Sequence, residues 1–278
     1  MRDTACFVQA LGLSATEARI ELQMLMGAVL QLPRAFLIAH ADEIMPPQQA
    51  ACYQTFIERR LQGEPIAYIL GEKEFFSLVF KVSPAVLIPR PETELLVELA
   101  LAYIPKDTLC HVLDLGTGSG AVAIAIAKQR PRAEIVAVEK SLPSLAIASE
   151  NALQLKVPNV RFLQGDWYSG LDCQQFDIIV SNPPYICARD PHLQRGDLRF
   201  EPVSALASGE GGLDAIRTII QGASTHLREY GWLLFEHGYN QAPSCENLLW
   251  ESGFKEVIKY PDLAVIPRLM SGRLSISP

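Results

Sequence analysis

Little in this chain could cross or grip a membrane. The apolar run Ala121 to Ala127 stops at Lys128, far short of the ~20 residues a spanning helix needs. Met1-Arg2-Asp3-Thr4 does not open a basic stretch followed by an apolar core and a small-residue cleavage site, so a cytoplasmic protein is expected. The six cysteines (Cys6, Cys52, Cys110, Cys173, Cys187, Cys245) include no CxxC pair, and the five histidines form no close cluster. Reduced thiols and no metal site are the expectation. Positive charge is also scarce: 24 Lys and Arg against 31 Asp and Glu leave a net charge of -7. No basic stripe is visible, which argues against a protein that lives on a nucleic-acid backbone.

What is present is an ordinary globular balance, 49% hydrophobic and 20% charged, in 278 residues, enough for two domains at ~150 residues each. The first seventy residues read as helical. Ser14-Ala15-Thr16-Glu17 has capping-box spacing, and Ala18, Leu22, Leu25, Met26 and Val29 then recur on one helical face. A second helix is predicted from Pro47 to Leu61. The five arginines of this stretch (Arg2, Arg19, Arg34, Arg59, Arg60) are outnumbered by its acids, so it is no basic arm. A plain helical bundle and a partner-docking module are both open here. After Gly71, Glu74-Phe75-Phe76 and Val79 to Val82 suggest a hairpin turning at Ser77-Leu78. Pro91 suits the first position of a helix, with Glu92 and Glu94 in its first turn. The expected organisation is a helical domain over 1–70, a hairpin linker over 71–89 and a main domain over 90–278.

From residue 90 onward the pattern alternates. Strands are predicted at His111–Leu115, Glu134–Val138, Val160–Leu163, Asp177–Val180, Trp232–Phe235 and near Phe254 and Leu274. Helical patterns occupy Ala121–Lys128 and Pro143–Leu153. Such alternation implies a mostly parallel sheet covered on both faces, with ligands beyond the carboxyl ends of its strands.

Four strand ends carry chemistry. The first is Asp114-Leu115-Gly116-Thr117-Gly118-Ser119-Gly120, whose glycines permit a tight turn and close approach of a ligand to the backbone. The second presents Glu139, at the distance where an acid can hydrogen-bond ribose hydroxyls. Gly116, Gly118 and Ala121 also fit the relaxed dinucleotide fingerprint, so NAD stays open at this point. At the third end, Asp166 and Trp167 stand where methyltransferases present a carboxylate and an apolar ring to adenine. The fourth reads Asn182-Pro183-Pro184-Tyr185. Two prolines make a rigid extended loop with free carbonyls, and Asn182 adds a side-chain acceptor. A nitrogen with two N–H bonds can donate one to Asn182 and one to the Pro183 carbonyl. Its lone pair is then aimed at an incoming methyl group, with the Tyr185 ring beside the planar acceptor.

These residues, together with Ile88-Pro89-Arg90-Pro91-Glu92-Thr93-Glu94, Arg199-Phe200-Glu201-Pro202 and Phe235-Glu236-His237-Gly238, resemble the peptide chain release factor N5-glutamine methyltransferases, the HemK-type family. The resemblance implies a class I S-adenosylmethionine-dependent methyltransferase: an α/β fold with a Rossmann-like, seven-stranded, mostly parallel sheet and a small helical N-terminal domain. It implies methylation of the glutamine in the Gly-Gly-Gln loop of class 1 release factors, which modulates translation termination. By matching position, Gly116, Thr117, Gly118, Ser119 and Gly120 would line the methionine part of S-adenosylmethionine. Glu139 would bind ribose, Asp166 and Trp167 adenine, and Asn182 would border the cofactor. Asn182, Pro183, Pro184 and Tyr185 would hold the glutamine, with Asn182, Pro183 and Tyr185 carrying catalysis by orientation. No metal, nucleic acid or membrane partner is implied, and a monomer is expected. Two positions depart from the family: Glu139 stands where Asp is commoner, and Pro267 where an acid is expected, so residues 262–268 receive no role. Asn-Pro-Pro-Tyr alone is shared with DNA and ribosomal RNA amino-methyltransferases acting on N6 of adenine, N4 of cytosine or N2 of guanine. That is the competing reading.

Overall fold

The structure, a computed structural model, describes residues 2–275; Met1 and residues 276–278, which the sequence reading placed at the two domain ends, lie outside them. The chain forms two compact units, one of residues 1–72 with 194–200 and one of 73–193 with 201–278.

The first unit holds five helices: α1 (Arg2–Leu11), α2 (Ala15–Leu30), α3 (Arg34–Ala39), α4 (Pro47–Leu61) and α5 (Ile66–Leu70). The capping box forms as expected. Ser14 Oγ accepts from the Glu17 amide at 3.2 Å, and the Glu17 carboxylate accepts from the Ser14 amide at 2.8 Å. Phe7, Ala18, Leu22, Leu25, Ile57 and Ile69 make the core between the helices. Arg60 is buried, and its guanidinium reaches both carboxylate oxygens of Glu21 and, at 3.1 Å, Asp197 of the returning segment. Arg199 of that segment donates to the Gln62 carbonyl and lies so close to Gly63 that any Cβ there would collide with its guanidinium.

The second unit begins at Lys73, the second residue of β1 (Glu72–Phe75), which forms a hairpin with β2 (Leu78–Lys81). Its turn is Phe76-Ser77, one residue earlier than the sequence suggested, with φ of 51° and 60°. Neither residue is the Gly or Asn that announces a two-residue turn with positive φ. The turn is supported instead from outside: Glu94 accepts the Phe76 amide and Glu74 the Ser77 amide. Pro91 begins a 3-10 turn, Pro91–Thr93, rather than the helix itself, and α6 (Glu94–Tyr103) continues from it.

The remaining elements are β3 (Cys110–Leu115), α7 (Ala121–Gln129), β4 (Ala133–Glu139), α8 (Leu142–Gln154), β5 (Val160–Gln164), β6 (Phe176–Ser181), α9 (Val203–Leu206), α10 (Asp214–His226), β7 (Leu227–Glu236), α11 (Ala242–Glu251), β8 (Phe254–Pro261) and β9 (Pro267–Leu274). The seven strands from β3 on form one sheet in the order β5-β4-β3-β6-β7-β9-β8, in which only β9 runs antiparallel to its neighbours. The expected seven-stranded, mostly parallel sheet is present. Alternate residues of the central strands feed opposite faces. Val112, Ile135, Ile178 and Val180 pack with α6 and α7, whereas Leu113, Val138, Ile179 and Phe235 pack with α10 and α11. Burial on both faces explains why these strands read as continuous apolar runs. Leu115 is level with Val138 on one side and Ser181 on the other, so the loops after β3, β4 and β6 leave the sheet side by side. Strand order reverses at β3, the place where such sheets open a ligand crevice.

Candidate active site

The loop after β3 is built on positive φ: 73° at Gly116, 56° at Gly118 and 82° at Gly120. Gly116 and Thr117 donate their amides to the Val138 carbonyl, which folds the loop back over the end of β4. Gly120 ends the turn and caps α7; a Cβ there would come 2.8 Å from Ile124 and 3.2 Å from Ala148. Asp114, fully buried beneath the turn, accepts from the Thr117 hydroxyl at 2.6 Å. Burial raises its carboxyl to about 7, while the Thr117 and Ala123 hydrogen bonds pull the other way and the charge of Glu139 pushes further up. The ionised form is thus the strained one, relieved by any cation brought beside it.

Glu139 spans two elements. One oxygen accepts the Gly118 amide and the other the Ser141 amide, both at 2.9 Å, so β4, the glycine loop and the start of α8 are fixed together. Asn151, fully buried on α8, accepts the Lys81 amide and donates to the Ser119 carbonyl, tying the hairpin to the same loop. Trp167 adopts φ 54°, and its ring edge lies 3.6 Å from where a Gly116 Cβ would stand. Asp166 pairs with Lys140 at 2.7 Å across the solvent-exposed rim.

A cleft of about 340 Å³ opens between these loops. Gly116, Gly118, Glu139, Asp166, Trp167, Asn182 and Pro184 line it, as do Val86 and Leu87 of the segment after the hairpin and Ser204 of α9. A smaller cavity of about 50 Å³ continues from it past Thr117, Ser119, Asp114 and Thr93, and Asn182 lines both. Gly120, Pro183 and Tyr185 line neither. The structure therefore gathers most of the residues singled out in sequence around one opening and leaves those three out of its lining.

Asn182 shows what lies behind. Its Nδ2 donates to Thr93 Oγ1 at 3.0 Å, and the Thr93 hydroxyl donates to Glu236 Oε2 at 2.7 Å. The second Glu236 oxygen accepts from the Tyr185 hydroxyl at 2.9 Å. Thr93 and Glu236 are both buried. Desolvation pushes the Glu236 carboxyl above its ordinary range, against the two hydroxyl donors and Arg268. Desolvation and the neighbouring carboxylate likewise push the Tyr185 hydroxyl up. Farther out, the buried carboxylate of Glu201 accepts the Ile88 amide at 3.0 Å and pairs with Arg90, holding that strand of chain in place. Gln241 donates to the Tyr185 carbonyl. Sequence reading gave Thr93, Glu201 and Glu236 no role. Their signal was present, because each sits in one of the three flanking motifs, but nothing in the order of residues says that those motifs converge.

Among the described residues no group of His, Cys, Asp or Glu is arranged to hold a metal ion, and no helix is long and apolar enough to cross a membrane.

Comparison with known proteins places this arrangement. A model of the PrmC N-terminal domain matches residues 7–71 and one of the methyltransferase small domain matches residues 92–195. A release factor glutamine methyltransferase of Pseudomonas aeruginosa is 46% identical over 256 residues, 92% of each chain. One of Burkholderia pseudomallei is 48% identical over 273 residues, 96% of this chain and 94% of the relative. In fold, the chain is similar to a methyltransferase from Pyrococcus furiosus, with a TM-score of 0.55 at 18% identity over 79% of this chain and 98% of that one. The sheet is that of class I methyltransferases, and with such identity along nearly all its length the chain belongs to the release factor glutamine methyltransferase family.

Proposed function

We propose that this protein transfers a methyl group from S-adenosylmethionine to the side-chain amide nitrogen of the glutamine in the Gly-Gly-Gln loop of class 1 release factors. The observation that carries the reading is the position of Asn182, at the junction of the two cavities with its amide nitrogen engaged by Thr93 and its oxygen left to accept. The cleft fits the cofactor. Gly118 has open space where a side chain would stand, Glu139 is an acceptor for ribose hydroxyls, and Trp167 offers an apolar ring at the far wall. Gly116 to Ser119 would border the methionine part, with Asp114 nearby for its ammonium. Asp166 would accept from the adenine amino group.

When bound, the cofactor supplies an electrophilic sulfonium methyl. The protein has to improve a poor nucleophile, since an amide nitrogen delocalises its lone pair into the carbonyl. Asn182 Oδ1 and the Pro183 carbonyl accept the two N–H protons, which raises the electron density on nitrogen and holds the face of the amide in line with the methyl group. Alignment of this kind is worth ~7–11 kcal/mol of barrier. The same two oxygens stabilise the positive charge that develops on nitrogen, an interaction stronger in the transition state than before it. Pro184 shapes the approach and Tyr185 backs the acceptor. The surplus proton leaves to solvent.

The helical packing of the first unit and an acidic net charge favour a protein partner over a nucleic acid, and the first unit would dock it. A monomer working in the cytoplasm suits these partners. The test supplies tritiated cofactor with an intact release factor, the same factor with its glutamine changed to alanine, and duplex DNA. Label on the intact factor alone is expected, and Asn182→Ala should remove most of it while S-adenosylhomocysteine still binds. Label on DNA, or equal label on the alanine factor, would overturn the reading.

A further inference from the structure

An asparagine amide has two ends that do opposite things. Its oxygen accepts hydrogen bonds and its nitrogen donates them, and a half-turn of the terminal torsion exchanges the two at little intrinsic cost. If the nitrogen of Asn182 faced the acceptor group, it would oppose the N–H bonds it is meant to receive. Something must fix the flip.

The connections behind Asn182 do so. An ionised carboxylate only accepts, an amide nitrogen only donates, and a hydroxyl can link them by doing one of each. With Glu236 ionised, the Thr93 proton is committed to Glu236 Oε2 and the Thr93 lone pair receives Asn182 Nδ2–H. The reverse flip would set Asn182 Oδ1 against a hydroxyl oxygen with no proton left to give. Thr93 is 4% exposed and Glu236 3%, so bulk water does not compete for the bond between them. Chained bonds of this kind also polarise each other and make Oδ1 a stronger acceptor. Glu236 Oε1, holding the Tyr185 hydroxyl, fixes the ring in the same stroke.

We propose that Thr93 and Glu236 are positioning residues for methyl transfer: through the Thr93 hydroxyl, the Glu236 carboxylate sets the Asn182 amide with its oxygen toward the acceptor nitrogen, and through Tyr185 it seats the adjoining aromatic ring. The proposal rests on the reading that Asn182 accepts an N–H bond of the substrate amide. It also determines how the enzyme responds to acid. Facing Glu236 are the Thr93 and Tyr185 hydroxyls and the charges of Arg268 and Glu92, with His237, whose imidazole burial pushes below its ordinary range, next in the chain. Burial raises the Glu236 carboxyl despite Arg268. Once protonated, Glu236 becomes a donor, the Thr93 proton is released toward Asn182 and the amide can invert. Turnover therefore falls as pH drops through the raised Glu236 value.

The experiment compares full-length wild type with Thr93→Val, Thr93→Ser and Glu236→Gln. It measures kcat and KM on an intact release factor, kcat against pH, S-adenosylhomocysteine affinity by calorimetry, and the side-chain amide signals of Asn182 by NMR with labelled asparagine. Thr93→Val should lower kcat by about tenfold or more, the size of one charge-assisted hydrogen bond, with cofactor affinity within about twofold of wild type. Thr93→Ser, which restores the hydroxyl, should return most of it. Glu236→Gln keeps an oxygen for the Thr93 hydroxyl but no longer titrates, so it should retain more kcat than Thr93→Val, and both should lose the fall in kcat on the acid side. In wild type one Asn182 amide proton should be protected, and that protection should vanish in Thr93→Val. Wild-type kcat and pH profile in Thr93→Val, or no rescue by serine, would overturn the proposal. If the release factor takes no label from wild type, the substrate reading falls, and the Asn182 amide signals still decide the positioning: an unprotected amide in wild type overturns it.

Discussion

Glu139 is longer by one methylene than an aspartate would be, and the extra reach is already used. Its two oxygens close on the Gly118 and Ser141 amides, so the carboxylate both shapes the glycine loop and faces the cleft. A bound ribose would share acceptors that are preorganised rather than free. Glu139→Ala removes charge-assisted bonds of about 1.5–3 kcal/mol each and should weaken S-adenosylhomocysteine binding by at least about tenfold. Glu139→Gln is the finer variant. It keeps the shape but turns one acceptor into a donor against an amide that also donates, so its binding should lie nearer to alanine than to wild type. Calorimetry reads both, and unchanged affinity in the alanine variant would remove the ribose assignment. Asn182→Asp tests the same site once Thr93 is considered. Aspartate is an acceptor at both ends, yet it would compete with Glu236 for the single Thr93 proton. It should therefore recover less activity than its acceptor count suggests.

At the scale of elements, the glycine loop separates two requirements that look alike in sequence. Gly118 needs its backbone conformation but has open space around it, whereas Gly120 needs both the conformation and the absence of a Cβ, because Ile124 and Ala148 crowd it. Gly118→Ala should cost about 1 kcal/mol of stability through strain at positive φ, and Gly120→Ala clearly more, with α7 pushed from α8. Urea unfolding compares them; equal costs would mean that the crowding at Gly120 relaxes freely. The same region shows what was legible. The parallel strands β3 to β6 lie within a residue of their expected bounds, because buried parallel strands leave apolar runs that need no partner to be recognised; β7 begins earlier, at Leu227, and β8 and β9 were legible only as runs near Phe254 and Leu274. The helices α9, α10 and α11 have no counterpart in the sequence reading, and α1, α3 and α5 fall within the stretch read as helical without bounds of their own. Their apolar faces have meaning only against a sheet or bundle that sequence order does not display. The hairpin turn slipped by one residue because Glu94 and Glu74, not turn-forming residues, support it. In the site, residues at strand ends were readable from their spacing. Thr93 and Glu236 lie 143 positions apart and meet only in the folded chain.

For the whole molecule, the informative residue is Arg60. Its buried guanidinium satisfies Glu21 and Asp197, and it also donates to the Gly63 and Glu64 carbonyls. Arg60→Ala leaves Glu21 largely enclosed without its partner, a loss of about 3 kcal/mol. Hydrogen exchange should show the α2 and α4 amides opening more readily while the amides of β3, β4 and β6 and the affinity for S-adenosylhomocysteine stay as they were. If the sheet amides loosen by the same amount, the two compact units do not unfold independently.

The return of residues 194–200 to the first unit has a consequence for how the chain is made. Residues 1–72 leave the ribosome first, but the unit they belong to lacks a part until Phe200 has been joined. At a synthesis rate of ~5–20 residues per second, the 128 residues between 72 and 200 take about 6 to 25 s. Throughout that interval the nascent bundle holds Arg60 with Glu21 and local carbonyls alone, and Gly63 waits uncovered by Arg199. The helical module is thus finished only after β3, β4, β5 and β6 of the catalytic sheet have been made, and a pause in translation between those points lengthens the life of its incomplete form.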